Sequence, residues 1–77
     1  EEPVFYGTFE IIEQRIVGEK HLKCRLKLLG DNIVHDAIAF FQSPIEETTA
    51  QIAYQLSVNT WQGSSNLQLM ISEIKSN

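Results

Sequence analysis

Seventy-seven residues with one cysteine, 43% hydrophobic content and a formal charge of -4 make one domain around one core, because a chain of this size has no interior to divide. The lone Cys24 excludes an internal disulfide framework and, at an apolar-alternating position, reads as a small core residue in a reducing, cytoplasmic compartment. No run approaches the roughly 18 apolar residues of a membrane span, and Glu1-Glu2-Pro3 is the opposite of a signal peptide's basic start.

The chain opens without methionine, which points to a piece of a longer protein, with residues 1–77 as a single domain whose core covers about 5–75. A first strand is expected from about Thr8 to Val17, and the break in its alternation at Ile11-Ile12 is where a bulge would bend it around a barrel corner. Gly18-Glu19-Lys20 turns into the second strand, His21 to Leu28. Its sequence HLKCRLKL puts Leu22, Cys24, Leu26 and Leu28 on one face and His21, Lys23, Arg25 and Lys27 on the other.

Gly30-Asp31-Asn32, residue types that tolerate positive φ, leads into a third strand from Ile33 to Phe41. Neither face of that strand is clearly polar; Val34, Ile38 and Phe40 are read as inward, which leaves Ala37, Ala39 and Phe41 as an apolar strip beside the basic row. Phe41 on that strip would receive a backbone or base, fill the barrel's open end, or meet another domain, with Phe5 and Tyr6 in the same covering layer. Ser43-Pro44-Ile45-Glu46 has the form of a capping box with proline in the first helical position, but Thr48 and Thr49 leave room for one turn only.

Gln51 to Val58 is a fourth strand with Ile52, Tyr54, Leu56 and Val58 inward. A long polar loop from Asn59 to Asn66 follows, in which Gly63 supplies a positive φ and Asn59 hydrogen-bonds the turn. Leu67 to Ile74 closes the chain with Leu67, Leu69 and Ile71 inward. Five strands with a single helical hint give an all-β, five-stranded OB-fold Greek-key barrel with at most a one-turn helix between strands three and four; an SH3-like barrel is the alternative. Ligands of that fold commonly bind the face of strands two and three, flanked by the loops joining strands one to two and four to five.

The acidic total hides a segregated charge. Of six Lys and Arg residues, all but Lys75 fall between Arg15 and Lys27, where Glu19 is the only acid. The basic row has two readings: a strip that tracks a sugar-phosphate backbone, or a solvated strand face whose lysines deter edge pairing. Trp61 likewise either stacks on a base or caps one end of the barrel. Adjacent His35-Asp36 is the only pair suggestive of a metal site, but strand neighbours point to opposite faces and no further carboxylates sit at ligand spacing. No catalytic residue is expected.

Three blocks carry a family resemblance: Arg15-Ile16-Val17-Gly18-Glu19-Lys20-His21-Leu22-Lys23, then Asp36-Ala37-Ile38-Ala39-Phe40, then Ala53 through Gly63 with Leu67-Gln68-Leu69. In their order and spacing, from about Phe5 to Ile74, they resemble the OB domain of RecJ, the bacterial exonuclease family specific for single-stranded DNA. The resemblance implies a noncatalytic single-stranded-DNA-binding module of a 5'-3' exonuclease acting in recombination and repair. It implies no cofactor in this piece, with Mg or Mn held by the parent's preceding domains. The partners it implies are single-stranded DNA, the parent's nuclease core domains and, as a candidate, single-stranded DNA-binding protein. The nucleic-acid-binding candidates are then Arg15, Lys20, His21, Lys23, Arg25 and Lys27, with Trp61, Gln62 and Asn66 on the second loop.

The chain departs from the family pattern in that loop. Gln62 stands where an arginine is common before the glycine, Ser64-Ser65-Asn66 lacks the basic residue often found after it, and Phe41 replaces a frequent asparagine. A competing class is a structural or docking module that packs on the nuclease core or receives an acidic partner segment. The basic row would serve that role too.

Overall fold

The period-2 segments close into a barrel of five strands: β1 (Phe5–Val17), β2 (His21–Leu28), β3 (Val34–Ala39), β4 (Thr49–Trp61) and β5 (Ser64–Ser76), in the order β1-β2-β3-β5-β4. This is the OB-fold arrangement, seen here in a computed structural model that describes residues 3–61 and 63–76 and, within them, leaves out the side chains at 59, 61 and 76. All pairings are antiparallel except that of β3 with β5.

β1 closes the barrel by serving two neighbours. Phe5 to Glu10 pair with β4, and Phe9 to Val17 pair with β2. The register shifts between Ile11 and Glu13, where the alternation breaks in sequence, so the extra residue lets the strand bend from one partner to the next. At Gly7 the strand passes close to its neighbours, where an added Cβ would meet Leu28 Cδ1 at 3.0 Å.

The core is filled by Phe9, Leu22, Leu26, Ile52 and Leu69, with Cys24 and three alanines completing the inner wall. Two of those alanines, Ala37 and Ala39, correct the expected face of β3. They pair with Cys24 and Leu22 and point inward, while Val34, Ile38 and Phe40 point outward or lie beyond the strand. The reason is volume. β3 lies between β2 and β5, whose leucines already occupy the interior, so only small side chains fit behind them.

Residues 42–46 form no helical turn, and no helix occurs among the described residues. Instead, Ile45 turns into the barrel and its backbone is held from β1: the Gln14 side chain donates to the Ile45 carbonyl at 2.7 Å and accepts from the Ile45 N–H at 2.8 Å. One glutamine thus supplies the bonds a helical turn would have made, and the strand-favouring Thr48 and Thr49 give the helix nothing to extend into.

β4 and β5 also differ from expectation, because both are longer than the barrel they enclose, at 13 residues each. Pairing continues through Asn59↔Asn66, Thr60↔Ser65 and Trp61↔Ser64, so strand takes up most of the expected polar loop, and Gly63 has φ +83°. Leu56, Val58 and Leu67, read as core, stand on the overshooting part of the hairpin and are exposed, whereas Ile52 and Leu69 are buried.

Candidate nucleic-acid interface

The alternation of β2 fixes the basis of the site. Leu22, Cys24 and Leu26 are sealed in the core, which obliges His21, Lys23, Arg25 and Lys27 to face outward. Burial pushes the Cys24 thiol up from an ordinary 9.0 to about 11, as expected of a small apolar core residue rather than a nucleophile.

What the neighbouring strands bring to that outer face divides the row. Lys27 sits opposite Glu10 of β1, with Nζ 3.5 Å from its Oε1. Arg25 lies between Glu13 of β1 and Asp36 of β3, with Nε 3.8 Å from Asp36 Oδ1. Lys23 lies between Arg15 and Ile38, so the next rung places two cations directly opposite each other. Like charges directly opposite each other destabilise a sheet.

The strip is therefore not uniformly cationic, as the sequence suggested. Its C-terminal half is answered by acids, and its excess positive charge gathers around the turn between β1 and β2, carried by Arg15, Lys20 and Lys23 against the single turn acid Glu19, with His21 beside them. Among the described residues, no carboxylate lies within ion-pair distance of Arg15, Lys20 or Lys23. Glu13 and Asp36 line the same shallow depression as Arg15, Lys23 and Arg25, so the field is positive at one end and mixed at the other.

The cationic end has an aromatic border, of which the alternation of the third strand indicated Phe41 but not Phe40. Phe40 and Phe41 set their rings edge-on to the His21 imidazole, with centroids 5.1 and 4.8 Å away, and the Phe41 N–H donates to His21 Nδ1 at 3.3 Å. Phe41 is 76% exposed and adopts φ +55°, the only non-glycine residue with positive φ among those described. That backbone costs an L-residue with a bulky side chain about 1–2 kcal/mol, a cost asparagine or glycine would largely avoid. Phe41 is not part of a strip with Ala37 and Ala39, which are buried; it lies beyond β3, where Ile16, Lys20, Gln42, Ser43 and Pro44 join it around a second depression.

Phe5 and Tyr6 do not share a layer with it. Phe5 stacks on Tyr54 at 5.8 Å, near the opposite end of β1, and Tyr6 stands on the outer wall beside Gln51, Ala53, Glu73 and Lys75. Asn66 is exposed on β5 two residues before Gln68, which pairs with Asp36, so it neighbours the mixed end of the face rather than the cationic one. The Trp61 side chain and Gln62 lie outside the described residues. The described residues contain no group of three His, Cys, Asp or Glu that could hold a metal ion, and His35 and Asp36 turn to opposite faces of β3. No helix among them is long and apolar enough to cross a membrane.

This chain is similar, over residues 1–73, to a family model described as the RecJ OB domain. Among curated relatives, the single-stranded-DNA-specific exonuclease RecJ of Dickeya dadantii is 38% identical over 80 residues, covering 95% of this chain and 14% of the relative. That of Escherichia coli is 36% identical over 80 residues, with the same coverage. The chain thus spans about one-seventh of the length of these relatives. Among solved structures, RecJ of Thermus thermophilus in complex with Mg2+ superimposes with a TM-score of 0.74 at 24% identity, over 99% of this chain and 12% of that one. Its complex with Mn2+ gives 0.75.

Proposed function

This chain belongs to the RecJ OB-domain family, and from that premise we propose that it is the noncatalytic single-stranded-DNA-binding module of a bacterial 5'-3' exonuclease of DNA recombination and repair. The observation that carries the proposal is the outward, unpaired cluster of Arg15, Lys20 and Lys23 at the turn into β2. It is a like-charge arrangement the barrel does not need for its own stability, and an anionic backbone laid across it would relieve the repulsion.

Under this reading Arg15, Lys20 and Lys23 neutralise phosphates, His21 contributes a polar edge, and Arg25 and Lys27 join only by giving up partly exposed ion pairs, which are weak. Of the second-loop candidates, Asn66 would flank the strand where it leaves the face. Contacts to a backbone rather than to base edges make binding tolerant of sequence. Under this reading hydrolysis, with its Mg or Mn, belongs to other domains of the parent. The module's part is to hold the strand so that the distant site can act repeatedly.

A docking role has its own support in Leu56, Val58 and Leu67, exposed on the overshooting β4–β5 hairpin, and in the parent this surface would pack on the nuclease domains. Fluorescence anisotropy of a labelled single-stranded oligonucleotide separates the two roles. The double variant Arg15→Glu/Lys23→Glu should lose binding with its circular dichroism unchanged. Wild-type affinity in that variant would overturn the phosphate track and leave docking as the module's role.

A further inference from the structure

We infer that Phe41 is a stacking platform for one nucleobase of the bound strand, with the phosphates on either side of that base held by Lys20 and Lys23. The inference rests on the single-strand reading above and deepens it from a phosphate track to a nucleotide subsite.

Three features of Phe41 point the same way. Its ring is exposed, so burial in the barrel does not account for a phenylalanine there. Its backbone is left-handed, so the turn would be better served by asparagine or glycine. It is nevertheless held in place, its N–H on His21 Nδ1 and its ring edge-on to the imidazole. Strain and exposure at one fixed side chain mark a position whose compensation comes from outside the domain.

The surroundings select the ligand. Lys20 lines the same depression as Phe41, whose remaining rim mixes the apolar Ile16 and Pro44 with the polar Gln42 and Ser43. A nucleobase presents a flat π face with a phosphate on each side of its sugar, and that combination matches one exposed ring beside unpaired cations. Any base would serve, because stacking reads the ring face and not the hydrogen-bonding edge.

The test pairs the variants Phe41→Asn and Phe41→Tyr with two probes of equal length, an oligo-dT and an oligomer of abasic sites, both read by anisotropy at several salt concentrations. Phe41→Asn should weaken oligo-dT binding about fivefold or more, equivalent to ~1 kcal/mol at 1.4 kcal/mol per tenfold, without changing the salt slope. Phe41→Tyr should retain affinity. The wild-type chain should prefer oligo-dT to the abasic probe, and Phe41→Asn should erase that preference while melting no lower than wild type. Undiminished oligo-dT binding by Phe41→Asn, alongside lost binding by Arg15→Glu/Lys23→Glu, would overturn the platform and leave the phosphate track standing. Undiminished binding by both variants would remove the track as well.

Discussion

Replacing Lys23 by alanine tests whether the division of the basic row into free and paired cations governs binding. With Arg15, Lys20 and Lys23 unpaired among the described residues and Arg25 and Lys27 engaged by Asp36 and Glu10, the proposed binding mode would neutralise three phosphates. At roughly -0.7 per contact on a single strand, the slope of log affinity against log salt is about -2.1. Between about 50 and 200 mM salt, the wild-type chain should therefore lose roughly 18-fold in affinity, and Lys23→Ala, with a slope near -1.4, only about sevenfold. The control is Glu10→Gln/Lys27→Ala, which deletes an ion pair and leaves the net charge as it was. Its slope should match that of wild type. Anisotropy titrations of a labelled oligo-dT at four salt concentrations give all three slopes. An unchanged slope in Lys23→Ala, or an equal decrease in the control, refutes the reasoning.

Further outcomes concern the barrel that presents this face. Gln14→Leu deletes both hydrogen bonds to the Ile45 backbone and should cost about 2 kcal/mol, seen as a fall of roughly 8–16 °C in melting temperature; an unchanged melt would show that the clamp is idle. The fold favours the neutral Cys24 thiol, whose value rises from 9.0 to about 11, so its contribution is complete below pH 9 and lost as pH rises toward 11. Denaturant titrations should show up to about 3 kcal/mol lost across that window relative to Cys24→Ala, and thiol reagents should react slowly at neutral pH. Ala39→Leu forces a branched side chain into the inner wall against Leu22 and should destabilise by about 1–3 kcal/mol in the same assay, whereas no loss would mean that β3 tolerates either face inward.

Where one face of a strand is wholly apolar and the other wholly polar, sequence and structure agree. HLKCRLKL left no ambiguity, and the doubled isoleucine at 11 and 12 located the bulge. β3 has no polar face, and its register is decided by what lies opposite: Asp36 beside Arg25, Ala37 beside Cys24. A charge match between strands two and three could have signalled this, since putting Asp36 on the outer face also puts Ala37 and Ala39 inside. The ends of β4 and β5 were read as core because alternation carries no information on where a barrel stops. The helical start at Ser43-Pro44 was a local preference overruled by a long-range partner, Gln14, whose role no local pattern announces.

The candidate site was legible in composition but not in distribution. Clustering of the basic residues between Arg15 and Lys27 was visible along the chain, whereas Glu10, Glu13 and Asp36 reach them only through strand pairing. Phe41 was legible as a neighbour of the basic row, though through a strip with Ala37 and Ala39 that the structure does not form; its contact with His21 and the part of Phe40 depend on the turn that ends β3.

The central claim, that a single strand lies over the turn into β2 and the outer face beside it, is tested most directly by following backbone amide resonances of the 15N-labelled chain during titration with oligo-dT. Shifts should concentrate at residues 15–23 and 40–42, fade toward Lys27, and diminish as salt is raised. Shifts centred instead on the wall carrying Tyr6, Gln51, Glu73 and Lys75, with residues 15–23 silent, would contradict the account.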